Sequence, residues 1–331
     1  MSIEALAFAL PSLRQNAADV ALQTGASAEF IAGKIGMGER HILADGETGV
    51  SLAVAACRKL FEKNPSLPGS VGLLVCVTQN PDRRIPHNAP SIAYQLGLPE
   101  HVATFDISLG CSGYVYGVEI VEGFLARCGI DAAILVTCDP YSRIMAAEDR
   151  NANCVFGDAA TATWIRANGT RTRTLGTHFG SDGAGGSAIS IPAGGAARPF
   201  VSLTGAAGVA AYERDELRLH MNGRAVYNFV LDRVPASIEA CLRQARCSVE
   251  QIDHFVFHQG SAFMLDALAG KIGVPASRLE RNMSSYGNTV SSSIPLLLAE
   301  LDDASRLQGS LVLMCGFGVG LSWATAVVRF N

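Results

Sequence analysis

The chain has no run near the ~20 consecutive apolar residues that a membrane helix requires. Its opening segment, MSIEALAFALPSLRQN, carries Glu4, no basic stretch and only a short apolar run. These absences argue against a membrane partner and a secretory signal, so the expected location is the cytoplasm. Strong charge of either sign is also lacking. A formal net charge of −4 and a pI near 6.0 give no bulk attraction to nucleic acid or anionic lipid. An acidic partner would have to be met by a local basic patch. CxxC pairs and histidines at zinc spacing are missing as well, so no metal is expected. The nine cysteines sit at irregular intervals, mostly inside apolar runs such as LLVCVT, AILVTC and LVLMC. That is how buried thiols are used in a reducing compartment.

Apolar residues, in contrast, are abundant. At 49% hydrophobic over 331 residues the chain can bury a large core and is long enough for two average domains. A faint internal repeat organises it. Leu96-Gly97-Leu98-Pro99 recurs as Ile272-Gly273-Val274-Pro275, after the helix-like stretches SIAYQ and MLDALAGK. The first copy then passes through ATFDISL to Gly110-Cys111, and the second through RLERNMSSY to Gly287-Asn288. Each leads into a helix-like segment, which makes Cys111 and Asn288 pseudo-equivalent. AILVTC, ending at Cys138, matches LVLMC, ending at Cys315. GLLVCVTQ, ending near Gln79, matches DHFVFHQ, ending at Gln259, and His258 thus occupies the station of Thr78. Continuous apolar runs alternating with helical patterns read as buried strands of mixed or parallel sheets covered by helices. Two halves, 1–170 and 171–331, are expected to meet at the polar, turn-rich IRANGTRTRT with their central helices back to back.

Cys111 lies where a strand ends in Gly110 and a helix begins. A thiol in the first turn of a helix faces unpaired N–H groups and the positive end of the dipole, which predicts a lowered pKa and a thiolate. A buried cysteine is more often plain packing. Gly110, Ser112 and Gly113 shift the balance, since small neighbours leave room for an acyl chain and a close backbone approach. His258 ends the strand HFVFH before small residues, so its imidazole can project into a crevice. Asn288, taken alone, reads as a helix N-cap. Together the three are specific. Thioester condensation needs a nucleophile to hold one acyl group and donors to stabilise the enolate formed when a second thioester loses CO₂. The glycine-rich GFGVG, Gly316 to Gly320, either turns tightly between two strands or brings backbone N–H groups to the same crevice.

DISLGCSG, VFHQG, SYGNT and GFGVGLSW, in this order and spacing, resemble the β-ketoacyl-acyl-carrier-protein synthase III family. The likeness runs from IGMGERHI through EDRNANCVFGDAA to the terminal SWATAVVRF. It implies an α/β, duplicated thiolase-like fold, five-layered α-β-α-β-α with two mixed sheets around central helices. It also implies a homodimer, and a condensation between an acyl thioester, on CoA or acyl carrier protein, and a malonyl thioester, with no cofactor. By motif position Cys111 is the acylated nucleophile, His258 and Asn288 hold the malonyl carbonyl, and the N–H groups of Cys111 and Val319 form the oxyanion hole. Phe30, Arg150, Ile85, Phe156 and Gly318 fall at substrate-binding positions, with Met145 and Phe200 as further tunnel residues.

Thiolases place a histidine where this chain has Asn288 and a second cysteine close to, but one residue off, Cys315; in a strand that offset turns the side chain to the other face. Departures from the family pattern concern substrate. Gly38 and Phe263 stand where arginines are typical, Phe30 replaces a tryptophan, and HQGS with Ser261 replaces HQAN. They predict a paralogue with a non-standard acyl donor or acceptor or, equally, neutral exchanges compensated by Arg224, Arg233 or Lys271; Arg224 and Lys271 are expected at the carrier-protein docking site. Acyl transfer to an amine or hydroxyl without decarboxylation, and a subunit that binds thioesters without condensing them, are the alternatives.

Overall fold

The computed structural model describes residues 2–199 and 214–331; Phe200 lies outside them. Long apolar runs become interior strands, as expected. In chain order the first half comprises β1 (Ser2–Ala9), β2 (Leu13–Asn16), α1 (Ala17–Thr24), β3 (Glu39–Ile42), α2 (Gly49–Lys63), β4 (Val71–Val77), α3 (Asn88–Gln95), β5 (Ala103–Ile107), α4 (Gly113–Cys128), β6 (Ala132–Cys138) and β7 (Ala160–Arg166). The second comprises β8 (Thr172–Ser181), β9 (Ile189–Ser190), β10 (His220–Met221), α5 (Gly223–Ala245), β11 (His254–Phe257), α6 (Ala262–Ile272), α7 (Met283–Tyr286), α8 (Ser293–Asp303), β12 (Leu311–Gly318) and β13 (Ser322–Phe330).

Nine of the strands form two mixed sheets with one order between them, while β2 pairs with β3 and β9 with β10 as separate two-stranded ribbons. The first runs β1-β7-β6-β4-β5 and the second β8-β13-β12-β11. β4 is parallel to β5 and β6, and β11 is parallel to β12, while β7 and β13 run antiparallel in matching places. The duplication read from Leu-Gly-Leu-Pro is therefore a duplication of topology. The copies differ at one edge: opposite β11, where β5 would have its counterpart, only a single bridge joins Phe255 to Leu279.

Every residue of β6 and β12 is buried, and nearly every one of β4, because both faces of each sheet are covered. The period of two sorts them by layer. Leu74, Cys76, Ile134 and Val136 pack outward with α2 and α3, while Leu73, Val75, Val77 and Leu135 pack inward on α4 and α8. In the second sheet Val256, Val312 and Met314 face those same central helices. Phe257, Leu313 and Cys315 face the outer layer that holds α5 and α6. Each such side chain taken from water contributes about 1.5–3 kcal/mol. This is the five-layered α-β-α-β-α arrangement. β12 runs three residues beyond Cys315, through Gly316 to Gly318, so the glycine-rich motif is mostly strand rather than turn. No helix among the described residues is long and apolar enough to cross a membrane.

Candidate active site

Cys111 is carried on the tight loop after β5. The Gly113 N–H donates to the Gly110 carbonyl at 2.7 Å, and the first helical residue of α4 is Gly113. The thiol therefore precedes the helix rather than sitting in its first turn. Strand β12 presses against it. A Cβ on residue 316 would stand 2.5 Å from the Cys111 carbonyl oxygen, and one on residue 318 would stand 2.7 Å from Sγ, so both positions need glycine for space alone. The backbone N–H groups of Val319 and of Cys111 itself face the sulfur.

The expected thiolate is not found in the resting site. Cys111 is only 4% exposed, and burial pushes its thiol up to about 12, against the smaller downward pull of those two N–H groups. The helix-start argument failed because desolvation of a charge in an apolar pocket outweighs a dipole two residues away. Alkylation of Cys111, followed by mass spectrometry of its peptide, is expected to keep accelerating through pH ~10. A plateau near or below the ordinary thiol range would instead mean that the loop activates the sulfur unaided.

His258 follows β11 directly. Its N–H donates to the Cys315 carbonyl at 2.9 Å, extending the parallel ladder by one bond and fixing the chain as it leaves the sheet. The imidazole is 2% exposed and stands edge-on to Phe317, with ring centroids 5.6 Å apart at 90°. Nδ1 lies 2.8 Å from Ser293 Oγ. Burial pushes the ring down to about 3, only partly offset by the Val290 backbone, so His258 is neutral at physiological pH.

Asn288 joins the two halves. Its N–H donates to the Val155 carbonyl at 2.9 Å, and its carbonyl accepts from Gly157 N–H at 3.0 Å, in a parallel bridge across Phe156. The expected N-cap role is not what its side chain does: α8 begins five residues later, at Ser293. Its Oδ1 accepts from the Val290 N–H at 2.9 Å. That bond identifies the oxygen and leaves the amide NH₂ for the cavity. The turn has a cost. Val290 has φ 54°, in the left-handed region that a β-branched residue rarely enters.

Cys111, His258 and Asn288 line one cavity of about 360 Å³, together with Phe156, Phe317 and Gly318. Phe30, Arg150, Arg224 and Phe263 also line it and are exposed, which puts them at its mouth. Other expected residues lie elsewhere. Ile85, 88% exposed before α3, is not part of the lining, so one chain alone does not bring it to the cavity. Lys271 is exposed near the end of α6 and donates to the Leu231 carbonyl at 2.7 Å, away from the mouth. Arg233 is held by Asp182 and Asp232. Met145 is half-buried and packs near the cavity wall without lining it. Cys315 faces the outer layer, its sulfur 3.2 Å from Thr325 Oγ1, and does not reach the cavity.

Three of the four family departures sit in specific local contacts. A Cβ on Gly38 would stand 2.8 Å from the Ser284 carbonyl oxygen, so the backbone there is packed too closely for an arginine. Ser261 caps α6, accepting from the Met264 N–H at 3.2 Å. Phe263 stacks on Tyr227 with centroids 5.2 Å apart at 18°, and Lys34 Nζ lies 5.1 Å from its ring centre.

Residues around the site that sequence reasoning passed over are the serines after Asn288. The Ser291 hydroxyl donates to Asp139 at 2.5 Å. Ser292 donates to the Ala159 carbonyl at 3.0 Å, and Ser293 meets His258. Asp139, fully buried, also accepts from the Gln79 N–H at 2.6 Å, and burial pushes its carboxyl up to about 6. The signal was present as three consecutive serines in an otherwise apolar helix start. Nothing local says which partner each one meets.

Profiles for 3-oxoacyl-[acyl-carrier-protein] synthase III match residues 105–183, and those for its C-terminal region match residues 242–330. β-Ketoacyl-[acyl-carrier-protein] synthase III 2 of Lactiplantibacillus plantarum is 32% identical, with 99% of this chain and 98% of that protein covered. Synthase III 3 of Streptomyces coelicolor is 32% identical, covering 97% and 94%. A crystal structure of a 3-oxoacyl-(acyl-carrier-protein) synthase III superposes with a TM-score of 0.91 at 35% identity over 99% of each chain. A 3-oxoacyl-(acyl-carrier-protein) synthase from Burkholderia xenovorans does so with a TM-score of 0.88 at 31% identity, over 99% of this chain and 93% of that one. With its duplicated topology and these likenesses along nearly its full length, the chain belongs to the β-ketoacyl-acyl-carrier-protein synthase III family and is a condensing acyltransferase of the thiolase fold.

Proposed function

We propose that Cys111 carries the acyl group of a thioester and that His258 and Asn288 prepare a malonyl thioester to attack it. The observation that carries this reading is the convergence of a sulfur from one half and an imidazole and carboxamide from the other on one cavity. In the first step the Cys111 sulfur attacks the donor's thioester carbonyl. The tetrahedral oxyanion takes the N–H groups of Cys111 and Val319, and the donor thiol leaves with the proton that Cys111 gives up. In the second step the malonyl thioester carbonyl accepts hydrogen bonds from His258 Nε2–H and the Asn288 amide. The electron pair of the breaking C–COO⁻ bond moves into the enolate and CO₂ departs. The enolate carbon then attacks the acyl carbonyl, and the Cys111 sulfur leaves and takes up a proton. A neutral imidazole suits a donor to a carbonyl, since it stabilises the growing charge without exchanging protons at neutral pH.

Acyl-CoA or acyl carrier protein serves as donor and a malonyl thioester as acceptor, with no cofactor entering any step. The apolar mouth, with Arg150 and Arg224 as its cations, favours an acyl donor outside the standard set, as Ser261 and Phe263 suggest. The halves divide near residue 170, between the end of β7 and the start of β8. The active form is a cytoplasmic homodimer. Exposed Ile85 and the open edge of β5 support a second subunit that completes the acyl tunnel.

Mass spectrometry of the intact chain with a panel of acyl-CoA and acyl-carrier-protein donors, followed by malonyl carrier protein, tests the reading. An adduct on the Cys111 peptide and a malonyl-dependent product are expected, with best turnover from a donor other than acetyl-CoA. No adduct with any donor would favour an inert binding subunit. A strong preference for acetyl-CoA would retire the non-standard donor alone.

A further inference from the structure

Building on the condensing role of His258, the structure singles out the side chain at the imidazole's other nitrogen. A carbonyl oxygen in the cavity requires the proton on Nε2, so Nδ1 has to accept a hydrogen bond rather than donate one. Two groups act on the ring's proton and make opposite demands. Ser293 Oγ is 2.8 Å from Nδ1. The same hydroxyl can instead donate to the Val290 carbonyl, 3.0 Å from it, and that backbone also favours a proton on the ring. A carbonyl only accepts. Facing it alone, Nδ1 would keep the proton, and Nε2 would turn a lone pair toward a substrate oxygen that also only accepts.

A hydroxyl resolves the conflict, because it has one proton to direct. The Gln259 N–H donates to Ser293 Oγ at 3.5 Å, which leaves the hydroxyl proton to turn to Nδ1. Ser293 and His258 are 1% and 2% exposed, so no solvent competes for the choice. We propose that Ser293 is a positioning residue that holds His258 as its Nε2–H tautomer by donating its hydroxyl proton to Nδ1. One turn thereby sets both carbonyl donors: the Val290 N–H fixes the Asn288 oxygen, and Ser293, three residues on, fixes the imidazole. The unfavourable φ of Val290 is where the backbone bends to serve both.

The test uses Ser293→Ala and Ser293→Thr in the full chain with ¹⁵N-labelled histidine, His258 being assigned by its loss in His258→Ala. In the alanine variant the His258 resonances are expected to move to the Nδ1–H tautomer, and kcat for malonyl condensation to fall about a hundredfold, with KM little changed. The Cys111 adduct should still form, which reports an intact pocket. Threonine, which keeps the hydroxyl, should restore the Nε2–H signature and most of the rate. An alanine variant that keeps the Nε2–H tautomer overturns the proposal, as does one that condenses at the original rate. Should alanine unfold the chain, Ser293→Cys, with its weak donor, is expected to give an intermediate tautomer ratio, and an unchanged ratio would also overturn it. A wild-type chain that forms the adduct but no malonyl-dependent product would count against condensation instead, while the tautomer measurement would still decide the role of Ser293.

Discussion

Replacing Cys111 with alanine is expected to lower carbon–carbon bond formation by a factor on the order of 10⁴ or more, the scale at which removal of a covalent nucleophile is felt. No neighbour can take its place. Ser112 is buried and its hydroxyl lies 2.8 Å from Ser322 Oγ, while Cys315 faces the outer layer on the far side of β12. The loss should be selective. His258 and Asn288 touch neither the sulfur nor its loop through any hydrogen bond, so the site for the malonyl carbonyl survives the change. Release of CO₂ from a malonyl thioester is therefore expected to continue, uncoupled from product, with a proton from solvent completing the acetyl thioester. Radiolabelled CO₂ and chromatography of the thioester products measure both arms. Condensation that persists in Cys111→Ala would mean the acyl group is never carried on that sulfur. Decarboxylation that vanishes with it would mean the malonyl site is assembled only on the acylated enzyme.

The residues that name this chemistry were legible because Cys111 and His258 follow strands, whose ends can be read from apolar runs, and the repeat pointed from Cys111 to Asn288, which follows the short helix α7. Gly110-Cys111 follows ATFDISL, His258 follows HFVF, and Gly287-Asn288 takes the matching place in the second copy. The repeat then supplied the convergence, since two copies of one topology packed on central helices bring equivalent ends to one pocket. What could not be read depends on groups distant in sequence. The protonation of Cys111 is set by how completely β12 closes over it, and that closure is visible only once Gly316 and Gly318 are seen against the sulfur. Gly38 reads as an arginine lost for the sake of substrate, yet the Ser284 carbonyl beside it shows a packing constraint. Lys271 is read as a docking cation from its charge alone, and its bond to the Leu231 carbonyl, a contact forty residues away in sequence, is visible only in the fold. The edge opposite Leu279 lost its strand because RLERNM has no apolar run to sustain one.

Asn288→Ala is the second large effect, and it separates condensation from simple acyl transfer. The carboxamide is held through its Oδ1 by the Val290 N–H, so its NH₂ can give a full hydrogen bond to a growing enolate at no cost of reorganisation. Removing one such donor costs about 10²–10³ in rate, and the upper end applies here because the cavity is apolar and a replacement water would be poorly held. The backbone bridge of residue 288 to Val155 and Gly157 does not involve the side chain, so the fold of the site is expected to persist. Acylation of Cys111 draws on the N–H groups of Cys111 and Val319 and should stay near its original rate. The expected outcome is thus a chain that fills with acyl groups and fails to discharge them onto malonyl carrier protein, accumulating the adduct in single-turnover mass spectrometry. If the adduct discharges as fast as before onto an amine or hydroxyl acceptor and the malonyl reaction is equally unaffected, Asn288 is a structural link between the halves and the reaction is a transfer without loss of CO₂.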